Sequence, residues 1–482
     1  MATVSDAQAP DSSAGRAAGF KFPTAYTILF ALIAVVAAAT WVVPAGQYDR
    51  QRNEQLDKDV PVPGTYKTVD RNPQGLRAVL IAPIAGFYNP DSNQAAAIDV
   101  ALFVLIIGGF LGVVTKTGAI DAGIGGAMSS LKGREKWMIP ILMALFAAGG
   151  TIYGMAEESL AFYALIIPVM IAAGYDALTA VAIIMLGAGV GTLGSTINPF
   201  ATVIASNAAG VPFTNGMPLR FLILGVGWLT CVVYVMRYAE RVKRDPSKSL
   251  VANLAKSNRE HFLKSQDATG TPPLTGVRKI ILLLFGLSFA VMIWGVSVAG
   301  WWMAQMSALF LAASIIVCLI ARMGEEEFTT TFVNGARDLL GVALVIGIAR
   351  GIVVIMDAGK ITDTILFWSE GAVKGLSTIA FINVMFVLEL ILSFFVPSSS
   401  GLAVLTMPIM APLADFSNVS RDLVVTAYQS ASGLLNLVNP TFAVVMGGLA
   451  IGRVPYNRWL QFAMPLVLIL AVLIIVALSI SA

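Results

Sequence analysis

The stretch GTLGSTINPFAT, Gly191 to Thr202, interrupts a run that is otherwise apolar from residue 177 to residue 209. Pro199 deletes a backbone donor and its ring clashes with the preceding turn, so the helix is expected to break in mid-membrane. The construction recurs in SGLLNLVNPTFAV, Ser432 to Val444, within the run 422–451. A broken span exposes carbonyls and amides that lipid cannot satisfy, and is tolerated only where protein or a water-filled cavity surrounds it. One such break reads equally well as a proline kink. Two breaks at matching places in two halves point to the binding site of a transporter.

Composition sets the class. The 482 residues are 57% hydrophobic and only 12% charged, which reads as an all-α polytopic membrane protein. A net charge of +3 is too small to suggest a nucleic-acid partner. Cys231 and Cys318 both lie in apolar runs, as small buried hydrophobes do, and imply neither a disulfide nor a metal site. The sole histidine, His261, sits in a polar loop, which excludes a histidine proton relay, a zinc centre and a histidine-based catalytic triad.

Residues 1–20 are rich in Ala, Ser and Asp and read as a disordered cytoplasmic tail. The first span, about 22–44, is expected to be a retained anchor, although VPAG at 43–46 resembles a weak cleavage site. Residues 46–96 form a polar loop whose apolar stretch Leu76–Phe87 is too short to span and should lie along the interface or under the bundle. A span at Ile98–Thr115 follows, then an apolar region, Trp137–Ala173, interrupted by GMAEES at 154–159. Its first arm, 137–153, rises roughly 25 Å, less than the hydrocarbon thickness, so the region is either two crossings or one re-entrant hairpin.

Charge chooses between them. A hairpin delivers the 237–279 loop, with ten Lys and Arg, to the cytoplasm, and two crossings would place it outside. Counted over the chain, the hairpin reading puts 20 basic residues inside and 9 outside, with Arg220 and Arg350 within spans. Six of the nine fall in the long 46–96 loop, where the rule counts less.

The halves repeat. ALIIPVM (164–170) answers VLTMPIM (404–410), KTGAID (116–121) answers DAGKITD (357–363), and the 30 residues from Pro168 to Asn198 answer 31 from Pro408 to Asn439. The charge count runs the corresponding spans in opposite directions, so the repeat is inverted. The expected organisation is a first repeat at 21–237, with hairpin 137–175 and broken span 177–209. A basic linker and extra span follow at 238–300. The second repeat is 301–482, with hairpin 376–414 and broken span 422–451. That makes about nine spans, two of them discontinuous, plus two opposed re-entrant hairpins, with a cytoplasmic N-terminus and a periplasmic C-terminus.

FPTAYTILFALI (22–33), WVVPAGQYDR (41–50), IDVALFVLIIGGFLGVV (98–114), GMAEESLAFYALIIPVM (154–170) and GSTINPFATVIASNAAG (194–210) together resemble the YfcC family of proposed basic amino-acid antiporters. The resemblance covers most of the chain from about residue 20. That family is similar to the ion-transporter superfamily, near the anaerobic dicarboxylate carriers and the aminobenzoyl-glutamate transporters. The resemblance implies a homodimer in the bacterial inner membrane, an elevator-type movement of a hairpin-bearing domain, and exchange of a basic amino acid such as arginine or ornithine. The dicarboxylate relatives imply instead a Na+- or H+-coupled carboxylate carrier.

Chemistry is expected from four polar clusters: Glu157, Glu158 and Ser159; Ser195, Thr196 and Asn198; Ser398, Ser399 and Ser400; Asn436, Asn439 and Thr441. Hydroxyls, amides and freed carbonyls suit Na+, near Asn198 and Asn439, or the ends of a zwitterion; helix–helix hydrogen bonding is the structural alternative. A carboxylate in the bilayer interior costs several kcal/mol unless paired, protonated or facing water, so Glu157 and Glu158 point to a cationic substrate or a proton. The alternative for one of them is to cap the hairpin arm, worth roughly 0.3–1 kcal/mol. Arg350 and Glu389, also in apolar surroundings, are read as a mutual ion pair or as functional groups. No cofactor is implied beyond a coupling Na+ or H+. A channel would want rings of like residues along a pore, and an enzyme a base and a nucleophile. A carrier of a small solute fits better than either.

Overall fold

A backbone surrounded by lipid must satisfy its own hydrogen bonds, and the long apolar runs of this chain are accordingly helical in the computed structural model. The structure describes residues 25–53, 58–90, 97–130, 134–152, 154–263 and 273–482; the expected tail 1–20 lies outside them. The first half comprises α1 (Ala25–Val42), α2 (Leu76–Ala85), α3 (Ile98–Lys116), α4 (Ala119–Ser130), α5 (Met138–Ile152), α6 (Leu160–Ala172), α7 (Ala177–Leu193), α8 (Ile204–Ala209) and α9 (Met217–Arg244). A linker helix α10 (Ala255–Phe262) and α11 (Gly276–Ala299) follow. The second half is α12 (Met303–Ala321), α13 (Glu325–Asp338), α14 (Leu340–Ala358), α15 (Thr362–Val373), α16 (Thr378–Phe395), α17 (Ser399–Phe416), α18 (Arg421–Leu435), α19 (Ala443–Ile451) and α20 (Tyr456–Ser481). The order α3 to α9 recurs as α14 to α20.

Among the described residues nine helices are long and apolar enough to cross a membrane. The total matches the expectation but the membership differs, because it includes the hairpin arms α5 (with its preceding turn), α16 and α17 and omits α1 and the halves of the broken spans. α5 is 15 residues long, roughly 22 Å, and α6 is 13. The most deeply buried helix is α7, where 15 of 17 residues are buried; its apolar residues run all round, as they do in a helix enclosed by others. It crosses α18 so closely that a Cβ on Gly433 would lie 2.5 Å from the Leu193 Cα.

Two short helices dock across the halves. Residues 322–338 contain α13, which the sequence reading does not assign and which begins Glu325-Glu326-Glu327, acids favoured at a helix N-terminus. α13 packs on α3, where a Cβ on Gly108 would sit 2.6 Å from the Gly335 carbonyl. α2, the expected interfacial stretch, packs on α14, where a Cβ on Gly351 would sit 2.7 Å from the Ala82 carbonyl. The receiving spans carry Gly108-x-x-x-Gly112 and Gly347-x-x-x-Gly351, the small-residue spacing that lets backbones approach. Each half thus docks its short helix on the other half's span.

The polar loop also holds two small antiparallel ladders, an addition to the all-helical reading: Gly46↔Thr68 with Gln47↔Lys67, and Arg50↔Pro61 through Asn53↔Lys58. α15 holds the loop. Asp363 accepts from the Tyr48 amide at 3.0 Å and pairs with Arg50 at 2.9 Å, and the Tyr66 ring stacks on Phe367 at 4.1 Å. The Tyr48 hydroxyl donates to Glu370 at 3.0 Å, and burial, then this bond, push the phenol well above its usual range, so it remains a donor.

Candidate functional site

Each broken span is built and fastened in the same way. After α7 the chain turns at Gly194, and Pro199 opens a π-helical turn, Pro199–Val203, that leads into α8. Proline has no N–H, so the first donors needing partners are those of Phe200 and Ala201, and both are accepted by Asn198 Oδ1 at 2.8 and 3.1 Å. Asn198 Nδ2 donates to the Gly150 carbonyl of α5 at 3.1 Å. In the second half Asn439 Oδ1 accepts from the Thr441 amide at 3.1 Å, and its Nδ2 donates to the Ser393 carbonyl of α16 at 3.2 Å. Thr441 adds a bond to the Phe394 carbonyl at 2.7 Å. Each asparagine therefore ties its break to the first arm of its own hairpin. Both carboxamide oxygens already accept two bonds.

The two breaks are also tied to each other. Gln429 on α18 donates to the Ser195 carbonyl at 2.8 Å and accepts from the Thr202 hydroxyl at 2.8 Å, and Ser430 donates to the Leu193 carbonyl at 3.1 Å. Ser195 and Thr196 are consumed here: with the Thr202 proton given to Gln429, the Ser195 hydroxyl donates to Thr202 Oγ1 at 2.5 Å, and the Thr196 and Thr151 hydroxyls are hydrogen-bonded at 3.0 Å. Gln429 and Thr151 escaped sequence reading because a single polar residue in an apolar run does not disclose its partner on another helix.

The hairpin tips converge on the breaks. Glu158 Oε2 accepts from the Ala156 amide at 3.0 Å, so Glu158 takes the capping part at the first tip. At the second tip Ser398 Oγ accepts from the Gly401 amide at 3.2 Å and caps α17, while the Tyr428 hydroxyl donates to the Ser399 carbonyl. A cavity of about 460 Å³ is lined by Glu157, Glu158 and Ser159 from the first tip, by Ser398, Ser399 and Ser400 from the second, and by Asn198 and Asn436 from the breaks. The Asn436 carboxamide oxygen is buried without a hydrogen-bond partner. Because the breaks lie within spans, tips that reach them stand at the depth of the breaks.

Asp99 on α3 and Arg350 on α14 complete the wall, with Trp302 donating to Asp99 at 3.0 Å. Asp99 was not singled out in the sequence, since an acid in the first turn of a helix is ordinary there. An adjoining cavity of about 520 Å³ shares Glu157, Arg350 and Ser398, includes Thr441, and runs to Arg50 of the 46–96 loop and Asp363 of α15. Ser195, Thr196 and Asn439 line neither cavity. The Arg350–Glu389 ion pair does not form. Arg350 lines the cavities beside Glu157, whereas both Glu389 oxygens are buried without a hydrogen-bond partner. Hydropathy fixes the depth of a charge along its helix, not the side it faces.

The C4-dicarboxylate anaerobic carrier (DcuC) family matches residues 22–482. An uncharacterized protein of Haemophilus influenzae is 37% identical, covering 95% of this chain and 97% of that protein. "Putative basic amino acid antiporter YfcC" of Escherichia coli K12 is 31% identical, covering 91% and 92%, as the sequence resemblance implied. Among solved structures, the Alcanivorax borkumensis YdaH transporter is 14% identical at a TM-score of 0.39, covering 95% of this chain and 98% of that one. Neisseria gonorrhoeae MtrF is 14% identical at 0.41, covering 95% of each. The chain is a multi-pass membrane protein, a carrier rather than an enzyme, and it belongs to the C4-dicarboxylate anaerobic carrier family.

Proposed function

We propose that the protein is a secondary active transporter of the bacterial inner membrane that exchanges a basic amino acid of the arginine or ornithine type. The observation that carries this reading is the charge of the cavity between the tips: three carboxylates, Asp99, Glu157 and Glu158, against one guanidinium, Arg350. A basic amino acid presents two cationic groups and one carboxylate, the complement of such a wall. Charge-assisted bonds to both ends would orient it in a site shielded from bulk water. A volume of about 460 Å³ lies within the range of small-molecule sites, and the E. coli relative bears a name of the same sense. Glu157, Glu158, Ser159, Asn198, Ser398, Ser399, Ser400 and Asn436 are the proposed contacts, with Thr441 at the edge; Ser195, Thr196 and Asn439 hold the breaks in shape.

A second reading is a Na+- or H+-coupled carboxylate carrier. It is favoured by the N-terminus of α17, which opens on the cavity beside Arg350, and by the family's description. Inverted repeats at 21–237 and 301–482, an N-terminus in the cytoplasm, a C-terminus in the periplasm and a homodimeric scaffold belong to the same proposal. Uptake of labelled arginine and of labelled succinate into proteoliposomes, with internal counter-substrate and imposed ion gradients, tests it. Arginine uptake that requires internal arginine or ornithine is expected, and succinate uptake without arginine uptake would replace the first reading by the second.

A further inference from the structure

Glu389, on the first arm of the second hairpin, is fully buried and neither carboxylate oxygen has a hydrogen-bond partner. One turn further along α16, the Ser393 hydroxyl is buried and unpartnered too. Among the described residues no cation pairs with it. Glu389 is the only charged residue of α16. From α17 it is faced by Thr406, which is near enough to bond the carboxyl but has its one hydroxyl proton committed to the Leu402 carbonyl at 3.0 Å, and from α18 by Tyr428, whose hydroxyl donates to the Ser399 carbonyl. The remaining charges on the packed elements are engaged elsewhere. Asp415 of α17 pairs with Arg421 of α18 at 2.5 Å, Asp422 is beside Arg220, and Asp363 and Glu370 of α15 hold the outer loop. Arg458 of α20 bonds Gln461 at 3.1 Å. A carboxylate so placed is strongly disfavoured, and the neutral acid is the form these surroundings accept.

Position gives that proton a role. The Ser393 carbonyl receives Asn439 of the second break, and Tyr428 holds the tip through Ser399, so Glu389 stands between the two attachments of its hairpin. We propose that Glu389 is a proton-binding site of the carrier, protonated in the arrangement described here and deprotonated when the second tip moves away. The O–H bond then breaks toward entering water, which takes the proton, and the carboxylate left behind is solvated. A metal ion would need several oxygen ligands and space, and Glu389 lines neither cavity. The proposal rests on the transporter reading but not on its substrate.

Infrared spectroscopy of the purified full-length protein is the direct test, through the carbonyl stretch of a buried protonated carboxyl near pH 7. The band is expected in wild type, E157Q and E158Q, lost in E389Q and restored, shifted, in E389D. Its persistence unchanged in folded E389Q, or its discharge by Na+ alone at fixed pH, overturns the proposal. In proteoliposomes loaded with ornithine an imposed pH gradient should alter arginine uptake in wild type and not in E389Q, while both keep arginine–arginine exchange. Gradient-dependent flux retained by E389Q also overturns it. Failure of wild type to move arginine or succinate would remove the substrate reading and leave the infrared result standing.

Discussion

Replacing Asn198 by alanine deletes three bonds at once: two accepted by Oδ1, from the Phe200 and Ala201 amides at 2.8 and 3.1 Å, and one donated to the Gly150 carbonyl at 3.1 Å. The residue is 1% exposed, so its partners are largely withdrawn from bulk water, with the cavity as the one route by which water could reach them. An N-cap replaced by alanine costs about 1 kcal/mol, and a buried group left unsatisfied about 1–3 kcal/mol. The loss in N198A should therefore be about 2–4 kcal/mol. Serine can still cap the turn but cannot reach Gly150, which places N198S at about 1–3 kcal/mol, lower than N198A by the cap. The assay is thermal unfolding in detergent, followed by a thiol-reactive dye through the fully buried Cys231, alongside uptake in proteoliposomes. The expected order is wild type, then N198S, then N198A, with N198A inserted but inactive and N198S partly active. The same order is expected for N439S and N439A, whose amide makes the equivalent attachment to Ser393. Equal behaviour of the serine and alanine variants would refute the capping argument. Wild-type transport by both alanine variants would reduce the breaks to kinks.

E157Q and E158Q keep shape and hydrogen bonding while removing charge, so arginine transport should fall far more than citrulline transport; unchanged selectivity in both would make the pair structural. Cysteines at 60 and 265, introduced where Cys231 and Cys318 have been replaced, should label from opposite sides of the membrane, and labelling from one side would refute the hairpin reading. D363N removes the charge that holds Arg50, and should speed proteolytic cutting of the 46–68 ladders without altering the rest of the digest. An unchanged cutting rate would show that Asp363 does not secure the loop.

The features that sequence made legible are those that lie along the chain. Gly, Asn and Pro inside an apolar run announce a break locally, and the expected broken span 177–209 is matched by the ends of α7 and α8, the span 422–451 by α18 and α19 to within a residue. The hairpin reading rests on more than its own stretch, since tip polarity and arm length leave two crossings open and only the count of basic residues along the whole chain chooses between them. What stayed hidden depends on which side of a helix meets which neighbour. The docking of α13 on α3 rests on Gly335 meeting Gly108 across some two hundred residues, and nothing near Gly335 says so. Arg350 and Glu389 look like partners on hydropathy alone, yet one faces a cavity and the other the interior of a hairpin.

The site's charges are divided between two packing groups, and the division bears on the substrate. Glu157, Glu158, Ser398 and Asn436 belong to the hairpins and broken spans, which are fastened together through Asn198, Asn439 and Gln429. Asp99 and Arg350 belong to α3 and α14, which pack with each other and with α1, α2, α12 and α13, and meet the first group where α14 packs on α19 and α3 on α6. In an elevator-type movement the first group slides past the second. A cation held by Glu157 and Glu158 would travel with the moving group, and the departing Asp99 and Arg350 would be its release. A dicarboxylate held by Arg350 would be left on the scaffold, unless the α17 N-terminus alone carried it. A surface helix terminus favours one negative charge by about 0.3–1 kcal/mol, too little to transport two. If the proposed movement holds, it accords with the proposed basic amino acid better than with a dianion, and it locates the choice on the tip acids, not on Arg350.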